Sequence, residues 1–318
     1  TEEQKELIKA VHDVAENQIK PHVAAADEAG KTPDELWKFG FDLGLHLVEI
    51  PEEFGGLGLD YETCAMMFEE LAKVDAAYAD TFVTNFVAFR NIHLKGTPEQ
   101  AQHFVDMTID NGFAAFCLTE ANAGSDVAGM KSTAVLDGDE YVLNGTKTFI
   151  TNGSIASIYV IFAKTDPEAS GHGITAFLVD RDTPGLSAGA HENKMGFRLS
   201  DTTEVIMDNV RVPKSAVIGQ LIHSIKVQNY PSELIDVFVI ADNCTDNTAD
   251  VAREAGAIVF KRFNTEQVGK GYALDYGFKI IRSQYADRGY EAYFVFDADN
   301  VLDVNYFREM NKTFDNGA

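Results

Sequence analysis

Three cysteines, Cys64, Cys117 and Cys244, are all that 318 residues contain. They are too few and too scattered for a disulfide framework, which points to a reducing compartment and an expected cytoplasmic location. Neither C-x-x-C nor H-E-x-x-H occurs, and the eight histidines are dispersed, so zinc-type ligand spacing is absent. Basic residues are scarce: 26 Lys and Arg stand against 50 Asp and Glu, a formal net charge of −24. Residues 1–218 carry −19 of this and the remainder −5, with no basic stripe in either part. Nucleic acid is therefore not an expected partner. Long apolar runs are missing too; the longest, such as Ala156–Ala163, have strand length, far short of a membrane span. The first residues lack the basic-then-apolar order of a secretory signal, so a soluble chain is expected.

What is present suffices for a core: 45% of residues are hydrophobic and 24% charged. At roughly 100–200 residues per domain, two or three domains are expected. Residues 1–112 read as helical. Thr1-Glu2-Glu3-Gln4 fits a capping box, and Leu7, Ile8, Val11, Val14, Ala15 and Ile19 form a helical stripe that Pro21 is expected to interrupt. Further helices are expected over Pro33–Leu43, Tyr61–Val74, Ala76–Leu94 and Pro98–Ile109, the last capped by Thr97.

Residues 113–215 change character. Short β-branched and aromatic runs, Thr133–Leu136, Tyr141–Leu143, Lys147–Thr151, Ile158–Ala163, Ile174–Val179 and Thr203–Met207, alternate with turn residues. Asp137-Gly138-Asp139 and Asn144-Gly145 read as hairpin turns, which predicts an antiparallel barrel or sandwich. Residues 216–318 change again. Strands over Val237–Ala241, Ile258–Phe263 and Ala292–Phe296 alternate with helices over Thr248–Ala255, Gly271–Ser283 and Val304–Phe314, which predicts a partial α/β segment with a parallel sheet.

Two segments carry the first chemistry. Phe116-Cys117-Leu118-Thr119-Glu120-Ala121-Asn122-Ala123-Gly124-Ser125-Asp126 ends a strand in a small-residue loop whose N–H groups and hydroxyls can approach an anion. Phe149-Ile150-Thr151-Asn152-Gly153 ends a second strand in a hydroxyl and a turn. Alone, each is also an ordinary strand end. Together with Ile50-Pro51-Glu52-Glu53-Phe54-Gly55-Gly56-Leu57-Gly58, Lys194-Met195-Gly196-Phe197-Arg198-Leu199-Ser200 and Val210-Arg211-Val212-Pro213, in that family order, they resemble the acyl-CoA dehydrogenase family over about the first 215 residues. Phe149 stands where many members have Trp, which resembles the short-chain, butyryl-CoA type.

The resemblance implies an all-α N-terminal domain over 1–112 and a flavin-binding β-barrel over 113–215. It implies oxidation of short acyl-CoA thioesters at the α,β carbons with flavin adenine dinucleotide (FAD), and an electron-transfer flavoprotein as partner. By resemblance, Phe116, Leu118, Thr119, Gly124 and Ser125 contact FAD, with Ser125 near both the pyrophosphate and the acyl-CoA. Phe149, Ile150 and Thr151 line the isoalloxazine, with Thr151 near N5; core packing is the competing role for Phe149. The family takes its catalytic carboxylate from a C-terminal helical domain that does not follow Pro213 here, so no catalytic residue is assigned. Glu120 and Asp126 read as turn-capping loop acids.

After Ser215 a second resemblance begins. Val237-Phe238-Val239-Ile240-Ala241-Asp242, Gly269-Lys270-Gly271 and Phe296-Asp297-Ala298-Asp299-Asn300 resemble a truncated family-2 nucleotide-sugar glycosyltransferase that lacks its first, central strand. Asp242 would accept from a base, Lys270 would neutralise phosphate, and Asp297 and Asp299 would share Mg²⁺ or Mn²⁺. Glycosyl transfer from a nucleotide sugar is the alternative activity, and a catalytically inactive fusion a third reading. The change of family within Ser215–Gln220 reads as the seam of a chimera. Surfaces left without their family partners are expected to favour homo-oligomers or aggregation.

Overall fold

The computed structural model describes residues 1–167, 173–218, 225, 228–244, 248–296 and 305–315. The chain divides into two compact units, Thr1–Ile218 and Gly219–Ala318.

The first unit opens with helices α1 (Glu2–Val14), α2 (Lys20–Ala29), α3 (Asp34–Asp42), α4 (Tyr61–Val74), α5 (Ala76–Lys95) and α6 (Pro98–Thr108). The expected capping box forms at Thr1 with Gln4, and Thr97 caps α6 as expected, with Gln100 completing a second box that was not anticipated. Pro21 does not end the first helix. A π-helical turn over Ala15–Ile19 links α1 to α2 and shifts the hydrogen-bond ladder. Pro21 thereby falls in the first turn of α2, where its missing N–H needs no intrahelical acceptor.

Eight strands follow: β1 (Phe113–Cys117), β2 (Thr133–Asp137), β3 (Glu140–Thr151), β4 (Ala156–Lys164), β5 (Ile174–Asp180), β6 (Leu186–His191), β7 (Thr202–Pro213) and β8 (Val217–Ile218). The expected antiparallel barrel is corrected to a mixed sheet that does not close. Its path runs β6-β7-β3-β2-β4-β5-β8, with β1 attached to β4, and both β1 and β2 pair parallel with β4. Hairpin signals report only antiparallel sequence neighbours, so these parallel pairings had no local mark. One face of the sheet packs on the helices, and the other closes on a core built from the strands themselves.

The alternation along β4 shows this. Ile158 and Val160 join the helical core with Phe82, Phe86, Phe104 and Phe113, whereas Tyr159 and Ile161 join a second core with Phe177, Val179 and Val205. Both faces of β4 are buried, which explains its unbroken apolar run. Each fully buried Phe contributes about 1.5–3 kcal/mol through removal from water.

Asn144-Gly145, expected as a hairpin turn, lies inside the twelve-residue β3. Gly145 has φ +144, and a Cβ there would lie 2.2 Å from Ser132 Oγ. Its glycine serves close approach of the chain to Ser132 rather than chain reversal. The turn at Gly138 (φ +64) between β2 and β3 is a true hairpin, with Asp137 opposite Glu140. The unit runs through Ile218, because Val217 and Ile218 pair with Phe177 and Ala176 of β5.

In the second unit, β9 (Phe238–Asp242) pairs in parallel with β10 (Ile258–Arg262), accompanied by α7 (Thr248–Glu254), α8 (Lys270–Gln284) and α9 (Tyr306–Asp315). The strand expected over Ala292–Phe296 does not form. A strand forms only against a paired neighbour, and the first, central strand is the part this resemblance lacks. Phe294 and Phe296 instead pack with Tyr230, Ile235, Tyr306 and Phe307.

Candidate functional site

The two flavin-type segments lie side by side. Strand β1 ends at Cys117, and the chain continues through Leu118 and Thr119, whose carbonyl accepts from the Thr148 amide at 2.9 Å. Beyond it, Glu120 and Ala123 exchange backbone hydrogen bonds of 3.1 Å each, closing a tight loop that carries Gly124 and Ser125 into solvent. Nothing lies within 4 Å of where a Gly124 Cβ would be, so the main chain is open to a ligand there.

Glu120 is the residue that the sequence misplaced. It is not a loop acid capping a turn. Its side chain is 4% exposed and takes Lys147 Nζ at 2.7 Å, the Lys131 amide at 2.6 Å and the Ser132 amide at 3.0 Å. Burial raises its carboxyl pKa, but the hydrogen bonds from Lys147, Ser132 and Lys131 outweigh burial and hold it below the ordinary range. Lys147 is fully buried and also reaches the Leu118 carbonyl at 3.3 Å. Burial lowers the Lys147 pKa against the pull of Glu120. Lys147 ties the strand before Phe149 to the loop before Gly124, and no motif in the sequence singled it out.

Strand β3 is irregular where the second segment begins. Its register against β7 shifts between Lys147 and Ile150. Within that bulge Phe149 has φ +58 and is 63% exposed. A left-handed aromatic residue is a backbone outlier costing about 1–3 kcal/mol, and such outliers and bulges cluster at binding sites. Core packing is thereby excluded as the role of Phe149. Ile150 is the reverse: at 2% exposure its side chain belongs to the second core, so only its backbone can face a ligand. Thr148 Oγ1 is buried without a partner among the described residues, an unsatisfied hydroxyl next to Phe149.

Thr151 closes β3 opposite Thr202 of β7. Asn152 Nδ2 donates to Thr81 O of α5 at 2.9 Å and to Ala114 O of β1 at 3.0 Å, fixing the turn to both elements. Leu118, Thr119, Phe116 and Thr151 are half-buried, and Phe116 packs edge-on against Phe162, ring centroids 5.0 Å apart. The structure thus lays the Phe116–Thr119 stretch alongside the Phe149–Thr151 stretch, tied by the Thr148 amide to Thr119 and by Asn152 to Ala114, with Gly124 and Ser125 on the exposed loop that follows. Hydroxyls, open main chain and a solvent-facing aromatic ring fit the donor and stacking needs of a flavin.

In the second unit Asp242 accepts from Arg262 Nη1 at 2.5 Å, and Arg262 is itself 6% exposed. The carboxylate expected to read a base is engaged by a buried guanidinium. Lys270 is exposed at the start of α8. Asp297 and Asp299, the expected ligands of Mg²⁺ or Mn²⁺, lie outside the described residues. Among the described residues no group of three or more metal-ligating side chains occurs, and no helix is long and apolar enough to cross a membrane.

Comparison with known proteins finds matches to two families along the chain. Residues 1–112 match the family model for the acyl-CoA dehydrogenase N-terminal domain, 115–210 that for the acyl-CoA dehydrogenase middle domain, and 205–318 that for glycosyl transferase family 2. The probable acyl-CoA dehydrogenase FadE25 of Mycobacterium tuberculosis is 37% identical over 220 residues, 69% of this chain and 57% of the relative. The mitochondrial short/branched chain specific acyl-CoA dehydrogenase of Rattus norvegicus is 37% identical over 71% of this chain and 52% of its own length. Butyryl-CoA dehydrogenase from Megasphaera elsdenii superposes with a TM-score of 0.66 at 37% identity, covering 69% of this chain and 59% of that one. A chain from a structure described as the electron transferring flavoprotein of Acidaminococcus fermentans also gives 0.66, at 38% identity, over 69% and 58%. The chain therefore spans a little over half the length of the relatives it matches. Over its first two thirds the chain belongs to the acyl-CoA dehydrogenase family, carrying the N-terminal and middle domains, and its remaining residues match glycosyl transferase family 2.

Proposed function

We propose that residues 1–218 hold FAD and an acyl-CoA thioester as the corresponding part of a short-chain acyl-CoA dehydrogenase. The observation that carries this reading is Phe149, an aromatic residue held left-handed at a bulge and turned to solvent beside Thr119 and Thr151. Phe116, Leu118, Thr119, Gly124 and Ser125 would hold the cofactor along the first segment. Ser125 would also meet the acyl-CoA, and the Phe149 ring and the Ile150 and Thr151 main chain would border the isoalloxazine. Bound FAD supplies the acceptor for a hydride from the β-carbon of the thioester. The chain's own part is to place hydrogen-bond donors where negative charge develops on the reduced ring. An electron-transferring flavoprotein is the proposed electron acceptor, supported by the similarity to a chain from such a structure.

The α-proton needs a base, and residues 1–218 offer no assigned one. The described part of 219–318 is a two-stranded parallel sheet with helices, not a helical domain. Substrate and cofactor binding are therefore proposed for this chain, with turnover dependent on a carboxylate supplied from outside residues 1–218. Butyryl-CoA added to the FAD-loaded chain tests both parts. Perturbation of the flavin spectrum is expected on binding, and bleaching only where such a base is present. A spectrum unmoved by saturating butyryl-CoA would remove the substrate assignment.

A further inference from the structure

A buried ammonium is costly to keep unless it is paired and hydrogen-bonded, and Lys147 is both. Glu120 Oε1 takes Lys147 Nζ at 2.7 Å and the Ser132 amide at 3.0 Å, while Glu120 Oε2 takes the Lys131 amide at 2.6 Å. Lys147 Nζ gives a second hydrogen to the Leu118 carbonyl at 3.3 Å. One buried carboxylate thereby gathers three pieces of chain: the loop that follows β1, the residues entering β2, and β3.

Neighbouring contacts brace the same place. The Ser132 carbonyl accepts the Lys164 amide of β4 at 2.9 Å, and a Cβ at Gly145 of β3 would lie 2.2 Å from Ser132 Oγ. The Thr148 amide donates to the Thr119 carbonyl at 2.9 Å, joining the residue after Lys147 to the residue before Glu120. Asn152 ties the far side of Phe149 to Thr81 and Ala114, not to the loop. Glu120 and Ala123 close the loop by exchanging backbone hydrogen bonds, so the foot fixed at Glu120 carries Gly124 and Ser125.

With both partners ionised the pair has no net charge, so its effect on an anionic ligand comes from the placement of main chain and not from attraction. A preformed surface binds more tightly, because the ligand need not order it. We infer that Glu120 and Lys147 act as one positioning unit, which holds the Phe116–Ser125 segment in register with the Phe149–Thr151 segment so that a ligand spanning both meets a ready-made surface. This rests on the flavin reading given above, in which FAD places its pyrophosphate on the first segment and its isoalloxazine on the second. Both side chains are buried and act only through the main chain they hold.

FAD dissociation constants and urea stabilities are measured on the full chain for the natural sequence, Lys147→Met, and the double variant Glu120→Leu, Lys147→Met. The double variant replaces a pair without net charge by two apolar residues, so it should regain stability over Lys147→Met. Positioning predicts that it does not regain affinity: both variants should bind FAD about tenfold or more weakly than the natural chain. The salt dependence of binding should be the same in the double variant as in the natural chain, because no net charge is lost. Affinity that recovers together with stability would show a merely structural pair and overturn the proposal. A folded natural chain that binds no FAD gives a different result, which overturns the flavin reading and the positioning role with it. Amide hydrogen exchange of the cofactor-free natural chain needs no variant to fold. The Lys131, Ser132 and Thr148 amides should exchange as slowly as the paired amides of β4, through global unfolding. Exchange about a hundredfold faster at these three would show that the surface is not preformed, and would overturn the positioning role whatever the variants do.

Discussion

Lys147 Nζ lies 2.7 Å from Glu120 Oε1, with the two side chains 0% and 4% exposed, and the pair joins the strand leading to Phe149 with the loop leading to Gly124 and Ser125. A buried pair of this kind is costly to break from one side, because the surviving charge is left without a partner. Lys147→Met is expected to cost about 3–5 kcal/mol of stability. The double variant Glu120→Leu, Lys147→Met should cost less than Lys147→Met alone. Urea unfolding of the natural chain, Glu120→Leu, Lys147→Met and the double variant checks this; a double variant as unstable as the sum of the two single ones would show that the pair is not a unit.

The same pair sets an acid limit. The folded Glu120 carboxyl titrates below its unfolded value, so its contribution is fully present above the ordinary carboxylate pKa of about 4.3 and is lost as pH falls through the lowered folded value. Asp80 has the opposite sign. Its folded pKa is raised by burial, so its ionisation removes stability as pH climbs from about 3.9 through the raised folded value. Asp80→Asn should therefore be more stable than the natural chain at pH 7 and gain little at pH 3. Stability curves for both proteins across that range provide the check.

Phe149 separates strain from function. Its left-handed φ of +58 would be relieved in Phe149→Gly, and a side chain 63% exposed contributes little packing. Relief on the order of 1 kcal/mol is expected, together with weaker FAD binding. A variant that is both less stable and equally able to bind FAD would contradict the ligand role of Phe149.

Gly145 answers a steric question. Gly145→Ala places a Cβ 2.2 Å from Ser132 Oγ and 2.8 Å from Ser132 Cα at φ +144. Because backbone is among the atoms met, the chain must shift, and a loss above about 1 kcal/mol is expected in urea unfolding. Ser132→Ala removes only the hydroxyl and leaves the clash with the Ser132 main chain, so it should not rescue Gly145→Ala.

Local order was legible in the sequence and long-range order was not. Thr1 with Gln4 and Thr97 with Pro98 announced two helix starts, because caps are built within four residues. Gly138 announced its hairpin for the same reason. Asn144-Gly145 misled because a glycine needed for approach to Ser132 has the same letter as one needed for a turn, and the difference lies in a strand pairing read only in three dimensions. The parallel partners of β4 and the Glu120–Lys147 ion pair, 27 residues apart, left no local trace. At the site, the Phe116–Ser125 and Phe149–Thr151 segments were visible through family resemblance. The bulge that turns Phe149 outward and the burial of Ile150 were not.

The central claim is that the two segments, Phe116–Ser125 and Phe149–Thr151, hold a flavin. Equilibrium dialysis of the folded full-length chain against FAD tests it most directly, with Ser125→Ala, Thr151→Ala as the comparison. The account predicts a stoichiometric amount of FAD retained by the natural sequence and a clear loss in the double variant. A folded chain that retains none, or a double variant that retains as much as the natural one, would contradict it.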